Sequence, residues 1–156
     1  MPILAPATGL WSLPFVGLHM AFQFGVIFMR RRHKITIGDG SAQVEALIRD
    51  QRSAAEIAKA KEASQKLSFR IRAQANFIEN APLALLLVAV AELNGLAAGY
   101  AHALLATLFV ARVAHYMALS NHARAGVGIG RAGGVVLTQL VLISAAACSL
   151  VAVAFK

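Results

Sequence analysis

The chain is expected to be an all-α integral membrane protein, a four-helix bundle with four transmembrane helices per subunit. Three observations lead there. Of its 156 residues 58% are hydrophobic and only 14% charged, against about 25% charged in an ordinary soluble domain. Uncharged apolar runs recur along the chain, Met1 to Met29, Leu93 to Ala111 and Ala132 to Phe155, with another on either side of Glu79. Each approaches or exceeds the ~20 residues that cross a bilayer. The basic residues, moreover, are concentrated between these runs. Nine of the fifteen Lys and Arg lie between Arg30 and Lys66, a loop bias rather than a nucleic-acid-binding stripe.

The four spans are placed at about 10–29, 72–93, 98–119 and 132–155 of a single membrane domain covering 1–156. The first tolerates Pro14 near its outer end and carries His19 and Gln23 one turn apart, read as interhelical hydrogen-bonding groups. It lacks a basic leader and is followed by Arg30-Arg-Arg-His-Lys34, so it reads as an uncleaved span. Ile37-Gly-Asp-Gly40 makes a turn. Ser41 to Ser68 is rich in helix formers, carries a short Val44, Leu47, Ile48 stripe, and contains Ser53-Ala-Ala-Glu56 at capping-box spacing. It reads as a helical hairpin or extension within a connection covering 30–69.

The connection from Glu92 to Tyr100 has no Lys or Arg, and Asn94-Gly95 and Gly99 mark its turn. The positive-inside rule then places the N-terminus outside and the basic connections 30–69 and 120–131 in the cytoplasm. Gly126-Val-Gly-Ile-Gly130 lacks the strand context of a nucleotide-binding loop. Cys148 stands alone, which gives no disulfide framework, and five scattered histidines give no metal-ligand spacing. No metal and no nucleic-acid partner is expected.

The unusual feature is Arg70-Ile-Arg-Ala-Gln-Ala-Asn-Phe-Ile-Glu-Asn-Ala-Pro82, which loads polar side chains onto the opening turns of the second span. An ionisable group at the centre of a membrane helix costs at least about 2.5 to 3.5 kcal/mol and by default faces a partner or ligand. At ~100° per residue, Arg72, Asn76 and Glu79 share one face, with Gln74 roughly opposite and near Arg70. If both faces touch one ligand, Gln74 comes from a neighbouring copy, which predicts a cyclic homo-oligomer. Arg112 adds a second intramembrane cation, with His115 and Tyr116 one turn further on. Arg30, Arg72 and Arg112 against Glu79 suit an anionic ligand that also carries an amine. Taken singly, Asn76 and Asn80 are also ordinary interhelical glue, Arg72 and Arg112 also snorkelling side chains, and Pro82 also a simple kink.

Residues 72 to 82, with the basic cluster after the first span, the Ile37-Gly-Asp-Gly40 turn and Ala111-Arg-Val-Ala-His115, resemble the MAPEG family, which includes microsomal glutathione transferases and leukotriene C4 synthase. The resemblance implies a homotrimer in membrane lipid, expected here in a bacterial inner membrane, with glutathione bound as co-substrate at each subunit interface on the cytoplasmic side. Arg72, Asn76 and Glu79, with Asn80 and His115, would bind it from one subunit, and Arg30 and Gln74 from the next. The activity implied is addition of the glutathione thiolate to a lipophilic electrophile, or reduction of a hydroperoxide. Arg112 is the leading candidate to stabilise the thiolate, with Arg124 and Arg131 behind it. The chain departs from the family at Asn80, where several members have tyrosine, and at His115 and Leu119, where the leukotriene synthase branch has tyrosines. A non-enzymatic trimer that binds lipid or a partner protein is the alternative. A small proton-coupled exporter ranks third, because the first span has no glutamate.

Overall fold

The computed structural model describes residues 4–120 and 129–154. Five helices follow one another: α1 (Pro6–His33), α2 (Ser41–Arg49), α3 (Ala54–Leu93), α4 (Ala98–Ser120) and α5 (Ile129–Ala154). No strand occurs among the described residues. Four of the helices, all but α2, are long and apolar enough to cross a membrane. The protein is thus a multi-pass integral membrane protein, the four-helix class its composition implies.

The helices run up and down. α3 and α4 form the centre, and each touches both α1 and α5. Their shared core is built from Phe15 and Phe22 of α1, Phe77, Ala84 and Val88 of α3, Leu105 and Leu108 of α4, and Val141 and Ala145 of α5. Aromatic rings interlock at its middle, Phe22 edge-on to Phe77 at 5.3 Å and Phe15 edge-on to Phe109 at 5.6 Å. His19 of α1 stacks on Phe77 at 6.0 Å, a ring contact in place of the hydrogen bond expected of it. Because lipid is as apolar as leucine, close packing rather than water exclusion holds such helices together, and small residues at crossings permit it. Gly134 shows why: a Cβ there would stand 2.7 Å from the Ala111 carbonyl oxygen and 2.8 Å from the His115 Cβ.

α3 departs from the expected span. It starts at Ala54, well ahead of position 72, and runs unbroken through Pro82 for 40 residues. At ~1.5 Å per residue that is about 60 Å, twice the thickness of the hydrocarbon core. Its first half therefore projects from the basic end of the bundle. Ser53 starts it with a complete capping box, its Oγ accepting the Glu56 amide while Glu56 accepts the Ser53 amide. α2 packs back on this projection through Val44, which is buried, while Ile48 stays exposed. The preceding turn depends on Gly40 at φ +92, a left-handed conformation that favours glycine. The connection between α3 and α4 covers 94–97, as the spans placed at 72–93 and 98–119 imply.

At the end of the bundle opposite the basic connections, α1 begins without a side-chain cap from its own Ala5. Glu92 supplies one from α3: its carboxylate accepts the Ala7 amide at 3.0 Å, the Thr8 amide at 2.8 Å and the Thr8 hydroxyl at 2.6 Å. A helix N-terminus leaves its first amides unpaired and carries partial positive charge, so a carboxylate there meets both needs. Beside it the Trp11 indole donates to His102 Nδ1 at 3.0 Å.

Candidate functional site

The polar face of α3 meets α4 and α5 at the basic end. Arg72, Asn76 and Glu79 follow a four-then-three spacing, which keeps them on one helix face. With Phe69 of α3, His115 and Leu119 of α4, and Arg131 and Val135 of α5, they line an open cavity of about 320 Å³. Arg72 and Glu79 are exposed at its mouth, Asn76 is half-buried and His115 is buried. Among the described residues Glu79 makes no hydrogen bond or ion pair, and no three His, Cys, Asp or Glu side chains assemble as a metal site requires.

Arg112 sits deeper, 2% exposed. Its Nη1 donates to Asn76 Oδ1 and its Nη2 to the Gly134 carbonyl at 2.6 Å, while its Nε is buried without a partner among the described residues. A guanidinium only donates, so the Asn76 atom facing it must be the carbonyl oxygen. The amide hydrogens of Asn76 are then the edge left for a ligand acceptor. Asn80 completes the local pattern by donating to the Asn76 backbone carbonyl at 2.8 Å. His115 is fixed in the same manner. Its Nδ1 lies 3.2 Å from the Arg131 carbonyl, which can only accept, so Nδ1 carries the proton and Nε2 of the neutral ring is free to accept.

Two other expected residues stand apart. Gln74 is half-buried on the opposite face, one turn from Arg70, whose Nη1 donates to the Gly25 carbonyl of α1 at 3.1 Å. Arg30 lies in the last turn of α1, its Nη1 donating to the Thr36 carbonyl at 3.4 Å. Neither lines the cavity. Tyr116, expected near His115, turns instead to α1 and stacks flat on Phe22 at 3.7 Å. Arg124 lies outside the described residues. Glu92 went unnoticed in the sequence, although a lone acid at the end of an apolar span, opposite an uncapped helix start, is a legible signal.

A cavity that offers two guanidinium groups, amide donors, an imidazole and one carboxylate complements a zwitterionic molecule with excess negative charge. A match to the MAPEG family covers residues 8–151, nearly the whole chain. The chain belongs to the MAPEG family. No curated protein and no solved structure matches it. Membership in MAPEG supports a glutathione transferase, glutathione peroxidase or related membrane function.

Proposed function

We propose that this MAPEG chain is a glutathione transferase-like membrane enzyme, a homotrimer that binds glutathione between subunits and adds its thiolate to a lipophilic electrophile or uses it to reduce a hydroperoxide. The observation that carries the proposal is the Arg72, Asn76, Glu79, His115, Arg131 cavity, which opens outward from the bundle. Arg72 and Glu79 stand exposed on a membrane-spanning helix, an expensive position against lipid. A neighbouring subunit that covered this face would relieve that cost and bring in its own Arg30 and Gln74. In the orientation given by the positive-inside rule the cavity opens toward the cytoplasm.

Glutathione fits the donor pattern. Its two carboxylates suit the Arg72 fork, the Asn76 amide hydrogens and the partner's Arg30, and its α-amine suits Glu79 and His115 Nε2. The chemistry turns on the thiol, whose ordinary pKa of about 8.5 leaves only a few per cent ionised at neutral pH. Lowering it by about two units takes roughly 2.7 kcal/mol, and one guanidinium at about 4 Å with an effective dielectric near 20 supplies about 4 kcal/mol. Arg131 lines the cavity, whereas the Nη atoms of Arg112 are taken by Asn76 and Gly134. We therefore assign thiolate stabilisation to Arg131 and the orientation of Asn76 to Arg112. The thiolate then forms the C–S bond as the electrophile's leaving group departs or its ring or double bond takes up the electron pair and a proton. Spectroscopic thiolate formation in Arg131→Ala and Arg112→Lys tests the assignment. Loss in the first with retained glutathione binding supports it, and full thiolate formation in Arg131→Ala overturns it.

A ligand-binding, non-catalytic trimer is the second reading. Leu119 favours it, since this residue lines the cavity without the hydroxyl that the leukotriene synthase branch carries there. Glutathione binding without thiolate formation in the wild-type protein would decide for it.

A further inference from the structure

A second cleft, of about 320 Å³, lies at the basic end of α1, between the turn that follows it, α2 and the projecting half of α3. It shares no lining residue with the glutathione cavity, and Arg30 is not part of it. We infer that this cleft binds the phosphodiester headgroup of an anionic membrane lipid.

Three cations face it, Arg32, Lys34 and Lys59. All three are exposed, and among the described residues their side chains make no hydrogen bond or ion pair. Two other cations on α2 and α3 are paired, Lys66 with Glu62 and Arg49 with Asp50. The single carboxylate of the cleft, Glu56, is already engaged by the Ser53 amide and hydroxyl in the capping box, contacts that hold its pKa below the ordinary value. It remains ionised but directed at its own helix start, so the cleft keeps an excess of positive charge. Gln43 adds an uncharged polar group, and nearly buried Ile35 and Ala63, each 7% exposed, form an apolar floor.

Position decides which anion this is. α1 has 28 residues, about 42 Å at ~1.5 Å each, against a hydrocarbon core of ~30 Å. Its last turn, and the cleft just past it, therefore lie at headgroup depth. Lys34 closes α1 in a left-handed conformation at φ 54, its amide reaching back to the Arg30 and Arg31 carbonyls, and this reversal turns the chain from the span into the cleft wall. Cationic pockets at this depth attract anionic headgroups over zwitterionic ones. A lipid held there would fix the projecting half of α3 against the membrane surface.

The test uses the full-length protein in nanodiscs of mixed phosphatidylglycerol and phosphatidylcholine, with retained lipid counted by native mass spectrometry. Wild type retains phosphatidylglycerol selectively. The triple variant Arg32→Gln, Lys34→Gln, Lys59→Gln loses that selectivity, by about fivefold per cation removed. Arg49→Gln with Arg52→Gln, which removes the same kind of charge outside the cleft, retains it. If the triple variant is poorly folded, Lys59→Glu carries the test alone, because that exposed position lies within a regular helix turn. Equal retention in wild type and cleft variants overturns the inference, as does equal loss in the control. Displacement of the lipid by inorganic phosphate at matched concentration would make the cleft a soluble-anion site and overturn the lipid assignment.

Discussion

The apolar half of α3 carries two glutamates, Glu79 toward the basic end of the bundle and Glu92 at the opposite end, and they live in opposite conditions. Glu92 is buried and accepts three hydrogen bonds from the start of α1. Glu79 is exposed at the mouth of a cavity and has no partner among the described residues. A membrane carboxylate whose acceptor sites are filled from within the chain is part of the scaffold. One left open at the edge of a cationic cavity is poised for something outside the chain. The same contrast separates Arg112, buried between Asn76 and Gly134, from Arg131, exposed on the cavity wall. Burial with partners from within the chain marks the frame, and exposure without them marks the site.

The strongest way to break this division is to disturb the frame where it supports the site. Gly134→Val drives side-chain atoms into the Ala111 carbonyl and His115, and we expect a loss of about 3 kcal/mol or more. Because Gly134 also anchors Arg112, glutathione binding should fall with thermal stability, and a Tm near wild type would refute the close approach. Glu92→Ala comes next. It strips the cap from α1 and leaves amides unpaired, an expected cost of about 1 to 3 kcal/mol, seen as a lower Tm in detergent with glutathione affinity unchanged. Arg72→Ala and Glu79→Ala should do the reverse, each weakening glutathione binding by more than about tenfold in calorimetry while the oligomer and its Tm persist.

Smaller effects belong to the projecting half of α3. Ser53→Ala removes the capping box at a cost of about 1 kcal/mol, and hydrogen exchange should quicken in the first turns after Ala54 without a change at the cavity. Asp39 gives the smallest signal. Its carboxylate accepts the Ser41 amide at 3.1 Å, which holds its pKa below 3.8. A depressed folded-state pKa contributes stability above the unfolded value and loses it as pH falls through the folded one. Local protection of the Ser41 amide should therefore persist at pH 5 and fade below about pH 3.8, the ordinary value for this group.

The sequence reveals these two classes of residue unequally. The all-α membrane class is legible because apolar runs of span length have few alternatives, and the Arg72, Asn76, Glu79 face follows from helical spacing alone. His115 joining that face could be anticipated from α4 running antiparallel to α3. Other features depend on packing that no spacing rule contains. Arg112 looks like a free intramembrane cation until the Gly134 carbonyl and Asn76 are seen to take its Nη atoms. Tyr116 is one residue from His115, yet that step of ~100° turns it to Phe22. The Ala, Glu, Lys and Gln content of the segment before Arg72 favours helix, and it reads as a hairpin or an extension; that it runs into the span as one helix, α3, depends on packing that composition does not contain. Glu92 is legible as a lone acid at the end of an apolar span, but its partners are not, being backbone amides more than eighty residues away in sequence.

The most direct measurement is a stopped-flow ultraviolet titration of the detergent-purified wild-type protein and its Glu79→Ala variant with glutathione at neutral pH, following thiolate absorbance and proton release. A saturable thiolate signal in wild type that needs at least about tenfold more glutathione in the variant is the predicted result. Saturation at the same concentration in both proteins, or no thiolate signal in either, would contradict the assignment of the open carboxylate and its cavity to an activated glutathione.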